Sequence, residues 1–353
     1  MSTYHEEMKL KETKRLREIQ QELPPFTQAF FRGIAQTVSP KSRLAYAYDL
    51  RIFFRYLYEE HRTLGGVEPK DFTVECLNEI TAEDIDCFME YLSYYIRPDH
   101  ENPEYAAEMH NDEKGKSRKL AAIRSMFKFY YKKNKIAADP AALVDTPKIH
   151  EKTITRLDVN EVANLLDAVE TGEKLSGRQK AFHERTKKRD LALTTLLLGT
   201  GMRVSECVGI NIRDLDFQNN AVRVTRKGGN EVFLFFGEEV REALEDYLEE
   251  RKTAVTKDEK EDALFLSSQG KRINVRSVQN LVKKYSSGVT VKNISPHKLR
   301  STFGTNLYQE TGDIYLVADA LGHADVNTTR KHYAEVEEYR RRMATSKIRL
   351  RKD

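Results

Sequence analysis

The segment from residue 295 to residue 333 contains three short motifs: SPHKLR at 295–300, LGH at 321–323 and TTRKHY at 328–333. Four side chains of these motifs suit chemistry on a phosphate, which are His297, His323, Arg300 and Tyr333; the motifs also contain Arg330 and His332. Arginine suits phosphate because its planar fork donates two parallel hydrogen bonds and never loses its charge. Histidine can transfer a proton near neutral pH, and a tyrosine hydroxyl can act as a covalent nucleophile. The combination predicts phosphoryl transfer through a tyrosine, without a metal.

Together these motifs resemble the signature of the tyrosine site-specific recombinases, the Xer and integrase family. That family has a further arginine upstream in a GxRxSE context, and this chain has GMRVSE at 201–206, with Arg203. The family also has a lysine on a β-hairpin between the two arginine motifs, and Lys227, followed by two glycines, fits. All the motifs occur in family order over roughly residues 155 to 345. Each motif alone is weak, but the ordered set is highly specific.

Two features depart from the family pattern. Ser301 stands where many members carry a second histidine or a similar residue, and the interval from His323 to Tyr333 is slightly longer than is usual. The second departure predicts a different turn before the tyrosine.

The resemblance implies six catalytic residues, which are Arg203, Lys227, His297, Arg300, His323 and Tyr333. The two arginines would stabilise the charge that develops on the phosphate, and His323 would donate a hydrogen bond to the phosphate. The tyrosine would attack and hold the DNA as a 3′-phosphotyrosine.

The resemblance also implies a general base and a general acid for the same reaction. His297 is the candidate base for the tyrosine proton, and Lys227 is the candidate acid for the leaving oxygen. Arg226 competes with Lys227 for the acid role because the two are adjacent. Considered by itself, Arg203 would fit a structural salt bridge better than a catalytic role. No metal and no other cofactor are expected, and rejoining should need no ATP because the covalent bond conserves the phosphodiester energy.

The composition fits a soluble protein of two domains. The chain has 353 residues, 32% of them charged, and a formal net charge of only +4. No apolar run is long enough to cross a bilayer, and the first residues lack a signal-peptide pattern. The three cysteines, Cys76, Cys87 and Cys207, form neither a zinc spacing nor an obvious disulfide set, so a reducing cytoplasm is expected.

Helical spacing dominates the first part of the chain. Helices are predicted at about residues 1–22, 26–34, 40–60 (capped by Ser39), from Thr81, and at 117–133 (capped by Ser117). Residues 97–115 are polar and are predicted to form an exposed loop. The last of these helices carries a basic face, whose members Arg118, Lys119, Arg124 and Lys128 are candidates for DNA contact. A basic face that is simply solvated is an equally good interpretation.

Residues 140–156 have the proline content and charge of an extended linker, and the domain boundary is placed near Lys152. In the second part, Asp158 and Glu161 predict a capping box, and residues 171–189 are predicted to be irregular. An apolar helix should run from Asp190 to the glycines at 199–201.

The clearest strand pattern lies at residues 221–235, where two apolar runs flank a glycine-containing turn that carries Lys227. Further helices are predicted at 238–251 and 275–285. In the second of these, Arg276, Lys283 and Lys284 are expected to be exposed. The family analogy makes this helix, with Arg276 and Lys283, a DNA-facing one.

The predicted fold is mainly α with a small antiparallel β-sheet, in two domains. Residues 1–150 would form a helical core-DNA-binding domain, and residues 157–353 an α+β catalytic domain with a C-terminal tail. The resemblance implies that the two domains close as a clamp around duplex DNA. The expected partners are double-stranded DNA with paired half-sites and three further copies of the chain, which would make a homotetramer on two DNA sites. No membrane is expected among the partners. The tail after Arg340 could be a disordered basic end, but the resemblance implies that it docks into a neighbouring subunit.

The predicted function is site-specific DNA recombination, either Xer-like resolution of chromosome dimers or integration of a mobile element. Residues 1–25 are too short for a separate arm-binding domain, which favours the Xer-like form. Two alternatives are a non-catalytic DNA-binding regulator of the same fold and a topoisomerase-like nickase that relaxes supercoils without a specific site.

Overall fold

The computed structural model describes residues 4–97, 107–149, 155–226, 228–256, 261–323, 325–326 and 345. The chain divides into two compact units, Met1–Glu151 and Lys152–Asp353. None of the helices in the described ranges combines the length and apolar character that a membrane span requires.

The first unit is helical apart from one short hairpin. Its helices are α1 (Tyr4–Gln20), α2 (Thr27–Gly33), α3 (Pro40–Glu60), α4 (Ala82–Tyr91) and α5 (Glu113–Lys132), with short 3-10 helices at Pro69–Asp71, Val74–Glu79 and Pro140–Ala142. Its core is rich in aromatic rings, and Phe30, Phe53, Phe88 and Phe127 are completely buried.

Local capping signals in this unit are confirmed. The Ser39 hydroxyl accepts from the Ser42 N–H at 3.2 Å, ahead of Pro40. Thr81 and Asp84 form the reciprocal capping box at the start of α4. Such side-chain acceptors satisfy N–H groups that have no partner inside the helix.

The prediction of an exposed loop at residues 97–115 is wrong in its described parts, whereas residues 98–106 lie outside the described residues. Strands β1 (Tyr95–Arg97) and β2 (Ala107–Met109) pair in antiparallel fashion. Helix α5 begins before Ser117, because the Asp112 carboxylate accepts from the Gly115 N–H at 2.8 Å. The linker also begins later than predicted, since Ala141 and Val144 are buried in the core of this unit.

The second unit combines helices with a three-stranded sheet. Its helices are α6 (Val159–Thr171), α7 (Gly177–His183), α8 (Lys187–Thr200), α9 (Val204–Cys207), α10 (Glu238–Lys252), α11 (Val275–Ser286), α12 (Pro296–Thr311) and α13 (Ile314–Leu321), with a 3-10 helix at Ile212–Asp214. Its strands are β3 (Leu215–Asp216), β4 (Ala221–Thr225) and β5 (Glu231–Phe235), in the antiparallel order β3-β4-β5.

The apolar helix α8 lies at the centre of this unit and packs against α6, α10 and α12. The capping box of Asp158 and Glu161 and the hairpin of β4 and β5 are confirmed. The prediction of irregular structure at 171–189 is wrong, because α7 occupies part of it and buries His183 against the Tyr285 hydroxyl.

Candidate active site

The first candidate residue, Arg203, follows the buried end of α8. Gly201 ends α8 in the left-handed conformation (φ 61°), and the Phe303 ring occupies the place where a Cβ would project. Only glycine combines this backbone with so close a neighbour. Arg203 then takes an extended conformation (φ −73°, ψ 146°) as the residue before α9. The rigid α8 therefore fixes where the Arg203 side chain begins.

Glu206 holds the Arg203 side chain. The two oxygens of its carboxylate accept from the Arg203 backbone N–H at 2.8 Å and from Nη1 at 2.9 Å. The Glu206 side chain is 3% exposed and that of Arg203 36% exposed. A buried carboxylate that binds both ends of the residue restricts the arginine to one pose while its guanidinium stays accessible.

Arg300 lies deeper and connects two helix ends. It sits on α12 and is 5% exposed. Its Nη1 donates to the Gly201 carbonyl at 2.6 Å, and its Nη2 donates to the Leu321 carbonyl. Arg300 thus ties the C-terminal end of α8 to that of α13.

The C-terminal end of α13 is where the arginines converge. The carbonyls of residues 319–322 accept from three guanidinium groups: Arg226 binds the first two at 3.3 and 3.1 Å, Arg300 the third, and Arg203 the fourth at 3.2 Å. The last carbonyls of a helix have no partner inside it and carry partial negative charge. They offset the repulsion between the three cations, and His323 follows them directly in the chain.

The two candidate histidines lie on the elements that carry these contacts. His323 follows the left-handed cap Gly322, and its backbone N–H donates to the Ala318 carbonyl at 2.9 Å. His297 is in the first turn of α12, exposed, and one turn before Arg300. The structure therefore brings Arg203, Arg300 and the segment of His323 together, with His297 on the helix of Arg300.

Lys227 and Tyr333 lie outside the described residues, as does Tyr339. Two other tyrosines near Tyr333 in the sequence are described. Tyr308 is buried between α12 and α13, and Tyr315 is 71% exposed in the first turn of α13, at the opposite end from the arginines.

Sequence reasoning missed how Arg226 is used. It named this residue only as a competitor for the acid role, whereas the structure places the guanidinium on the end of α13. Its place beside Lys227 was the available signal, but backbone acceptors leave no trace in a sequence.

The structure separates the four basic candidates of α5 into two kinds. Arg118 pairs with the buried carboxylate of Asp49 but keeps a half-exposed side chain, and Lys128 is exposed. Lys119 is only 3% exposed and donates to the Asn111 amide oxygen at 2.6 Å, so the expected exposed position is wrong for this residue. Burial lowers the pKa of the Lys119 ammonium below its usual value.

Arg124, the fourth candidate on α5, binds within its own unit. Nε donates to the Ala141 carbonyl at 3.1 Å, Nη1 to the Thr146 hydroxyl at 2.7 Å and Nη2 to the Val144 carbonyl. The residue therefore fastens the segment after α5 to that helix.

We expect Arg124→Ala to lower the free energy of unfolding of the first unit by about 1–3 kcal/mol, because buried carbonyls lose a charged donor. Calorimetry of the full chain measures this as a lower melting temperature of one transition. Lys128→Ala is the matched control, since it removes an exposed cation four residues away and should leave the transition in place. Equal melting temperatures for the two variants would contradict the fastening role.

The basic residues of α11 also divide. Arg276 and Lys283 are exposed, as expected. Lys284 is not, because its ammonium donates to the buried Asp190 carboxylate at 3.3 Å and lies 3.9 Å from the centroid of the Tyr285 ring. Desolvation lowers the pKa of Lys284 below its usual value.

Metal-binding side chains do not cluster in the described ranges, where no group of three or more histidine, cysteine, aspartate or glutamate residues could hold an ion. The charge gathered at the end of α13 comes from guanidinium groups.

The sequence pattern of the phage integrase family matches residues 155–340 of this chain, which is more than half of it. The tyrosine recombinase XerC of Caldanaerobacter subterraneus subsp. tengcongensis is 31% identical over 336 residues, which cover 92% of this chain and 86% of the relative.

Two solved structures share the fold. One is the XerH site-specific recombinase bound to palindromic difH substrate, in a post-cleavage complex: TM-score 0.61, 21% identity, covering 89% of this chain and 81% of that one. The other is the Tn1549 transposon integrase in complex with circular intermediate DNA: TM-score 0.61, 19% identity, covering 87% and 94%. On the family match and the similarity to XerC over most of its length, the chain belongs to the phage integrase family and is an Xer-like tyrosine recombinase.

Proposed function

We propose that this chain is a site-specific DNA recombinase that cleaves and rejoins strands through a 3′-phosphotyrosine at Tyr333. The observation that carries the proposal is the convergence at α13. Arg203 and Arg300, from distant parts of the chain, bind adjacent carbonyls immediately before His323. This is the arrangement that a phosphate with growing negative charge requires.

The arginines would act on the phosphate. Attack on a phosphodiester builds charge on its non-bridging oxygens, and donors that are already in place stabilise that charge without reorganisation. Arg203 suits this role because its side-chain hydrogen bonds to Glu206 and to the Gly322 carbonyl use two of its five N–H groups. His323 would add a further hydrogen bond to the phosphate.

Tyr333 would form the covalent bond. Its hydroxyl oxygen attacks phosphorus, the bond from phosphorus to the 5′ oxygen breaks, and the 5′ hydroxyl leaves. An unperturbed tyrosine has a pKa of about 10, so it needs a base or a positive field. His297 would take the proton, and Lys227 would protonate the leaving oxygen. Rejoining is the reverse reaction, with the 5′ hydroxyl of the partner strand as nucleophile.

Covalent capture tests this function. The chain first selects a duplex from a random-sequence library, and this selected site is synthesised with a nick beside the scissile phosphate. The short fragment that carries the released 5′ hydroxyl diffuses away after cleavage, so the adduct accumulates and is seen on a denaturing gel. No adduct, with binding retained, would support the non-catalytic regulator instead. Adducts and relaxation on DNA of any sequence would support the nickase.

We expect Lys227→Ala to slow cleavage of the selected site by about 100-fold, the lower end of what a general acid contributes. The loss is moderate because residues 228–230 of the turn are exposed and water has access there. A bridging phosphorothiolate should restore the rate, since its sulfur leaves without a proton. The measurement is single-turnover adduct formation on both substrates, and a variant equally slow on both would contradict the acid role.

Duplex DNA with paired half-sites is the proposed partner, contacted by the exposed cations Arg118, Lys128, Arg276 and Lys283. Two of the similar proteins are described with DNA bound, a difH substrate and a circular intermediate. A homotetramer on two sites is part of the proposal because exchange joins four strand ends. A cytoplasmic location is also part of it, since all three cysteines are free.

The proposed biological role rests on the similarity to known proteins. Xer-like resolution of chromosome dimers is favoured over integration of a mobile element by the similarity to XerC along 92% of the chain. A plasmid with two directly repeated selected sites tests the first role, because the chain alone should resolve it into two circles.

A further inference from the structure

Arg226 closes the β4–β5 hairpin with its backbone and reaches α13 with its side chain. Its backbone N–H donates to the Asn230 carbonyl at 2.8 Å, and its carbonyl accepts from the Gly229 N–H at 3.0 Å. Its Nη2 donates to the carbonyls of residues 319 and 320. One residue therefore belongs both to the turn that carries Lys227 and to the helix end that precedes His323.

The guanidinium is packed closely against Gly322. A Cβ at this position would overlap Cζ and Nη1 of Arg226, and Gly322 already requires the left-handed conformation (φ 59°). Among the described residues, the Arg226 Nε has no hydrogen-bond partner and is shielded from solvent. Leaving a donor unpaired costs free energy, so the two carbonyl bonds and the helix-end charge must hold the side chain here.

The described residues of the turn, 228–230, do not pack against other elements. Residues 228–230 are exposed, and a Cβ added at Gly228 or Gly229 would meet no atom within 4 Å. Both glycines have positive φ, 103° and 96°, which leaves the backbone free to adopt other conformations when unconstrained. The contact of Arg226 with α13 is therefore an anchor between the turn and the rest of the site.

We propose that Arg226 is a positioning residue that holds the turn of Lys227 against the end of α13, so that the acid meets the leaving oxygen. The inference rests on the proposed function. It does not assign Arg226 the acid role, because an arginine does not give up a proton in proteins.

The test crosses Arg226→Ala with Lys227→Ala, on the nicked selected site with either oxygen or sulfur at the bridging position. Arg226→Ala should slow single-turnover cleavage of the oxygen substrate about tenfold, because a small misplacement of a catalytic group has effects of up to roughly 100-fold. The sulfur substrate should be cleaved at the wild-type rate. The double variant should be no slower than Lys227→Ala alone, since both changes remove the same proton transfer.

Two further variants complete the design. Arg226→Lys keeps the charge and a single donor nitrogen, so its cleavage rate should lie between those of wild type and Arg226→Ala. It replaces Arg226→Ala in the test if the alanine variant unfolds at the assay temperature. Arg223→Ala is the matched control on the same hairpin. Arg223 pairs with Asp214 at 2.7 Å and Glu231 at 3.6 Å, neither of which lies on α13. Arg223→Ala should therefore leave the ratio of cleavage rates on the sulfur and oxygen substrates at its wild-type value.

An Arg226→Ala defect of equal size on both substrates, a further loss in the double variant, or no defect at all would each overturn the inference. Failure of the proposed function would look different, because then the wild-type chain itself would form no adduct on either substrate.

Discussion

Replacing Tyr333 with Phe should abolish the covalent adduct and strand exchange while leaving folding and DNA binding intact. The change removes one hydroxyl and little volume. Without that oxygen no bond to phosphorus can form, and neither the arginines nor the histidines can replace it. The measurement is a denaturing gel of the chain with labelled, nicked selected site, followed by mass spectrometry of the trapped peptide from the wild-type chain.

The neighbouring tyrosines provide the controls. Tyr339→Phe and Tyr315→Phe should both retain the adduct, and Tyr315 is the better-defined control because it is exposed at the far end of α13. Tyr308 is buried, so Tyr308→Phe tests packing more than chemistry. An adduct that persists in Tyr333→Phe, or a phosphotyrosyl peptide that maps to another tyrosine, would overturn the assignment. The test is informative because the interval between His323 and Tyr333 is slightly longer than is usual in the family.

Elements with short-range signals could be predicted from the sequence. The capping boxes of Thr81 with Asp84 and of Asp158 with Glu161 join residues three apart, so the bond is visible in the sequence itself. The β4–β5 hairpin has its glycine turn between two apolar runs and could be predicted for the same reason.

Elements that depend on distant contacts could not. Helix α7 is polar and short, and its His183 is buried because Tyr285, far along the chain, meets it at 3.0 Å. The first turn of α5 contains Gly115, which disfavours a helix. That turn is supported by Lys116, whose ammonium donates to the Ser93 hydroxyl at 2.7 Å. In both cases tertiary contacts outweigh weak local propensity.

The candidate site shows the same division. Motif order pointed to Arg203 and Arg300 as a pair, and Glu206, which ends the GxRxSE motif, binds Arg203. Their common attachment to the end of α13 was not predictable, because the acceptors are backbone carbonyls. The exposure of Lys119 was also predicted wrongly. Its ammonium donates to the side-chain oxygen of Asn111, which precedes α5, so the spacing of residues within the helix does not reveal this partner.

Arg300→Ala should slow adduct formation by about 10³-fold, the upper end of the loss when one donor to a developing charge is removed. It should also lower the free energy of unfolding of the second unit by about 3–5 kcal/mol. This buried guanidinium donates to the Gly201 and Leu321 carbonyls, and bonds to charged groups contribute about 1.5–3 kcal/mol each. Domains are typically stable by about 5–15 kcal/mol, so the variant should still fold at low temperature. The measurements are single-turnover cleavage and calorimetry.

Arg251→Ala separates the effect on the cleavage rate from the effect on stability. Arg251 is also a buried arginine of this unit, 6% exposed, and it donates to the carbonyls of Glu261 and Ala263, not to those of α13. Its loss should therefore lower the melting temperature by a similar amount and leave the cleavage rate of the folded chain unchanged. If Arg300→Ala, assayed well below its melting temperature, cleaved as fast as Arg251→Ala, then Arg300 would only hold α8 and α13 together. In that case Arg203 would be the arginine that acts on the phosphate.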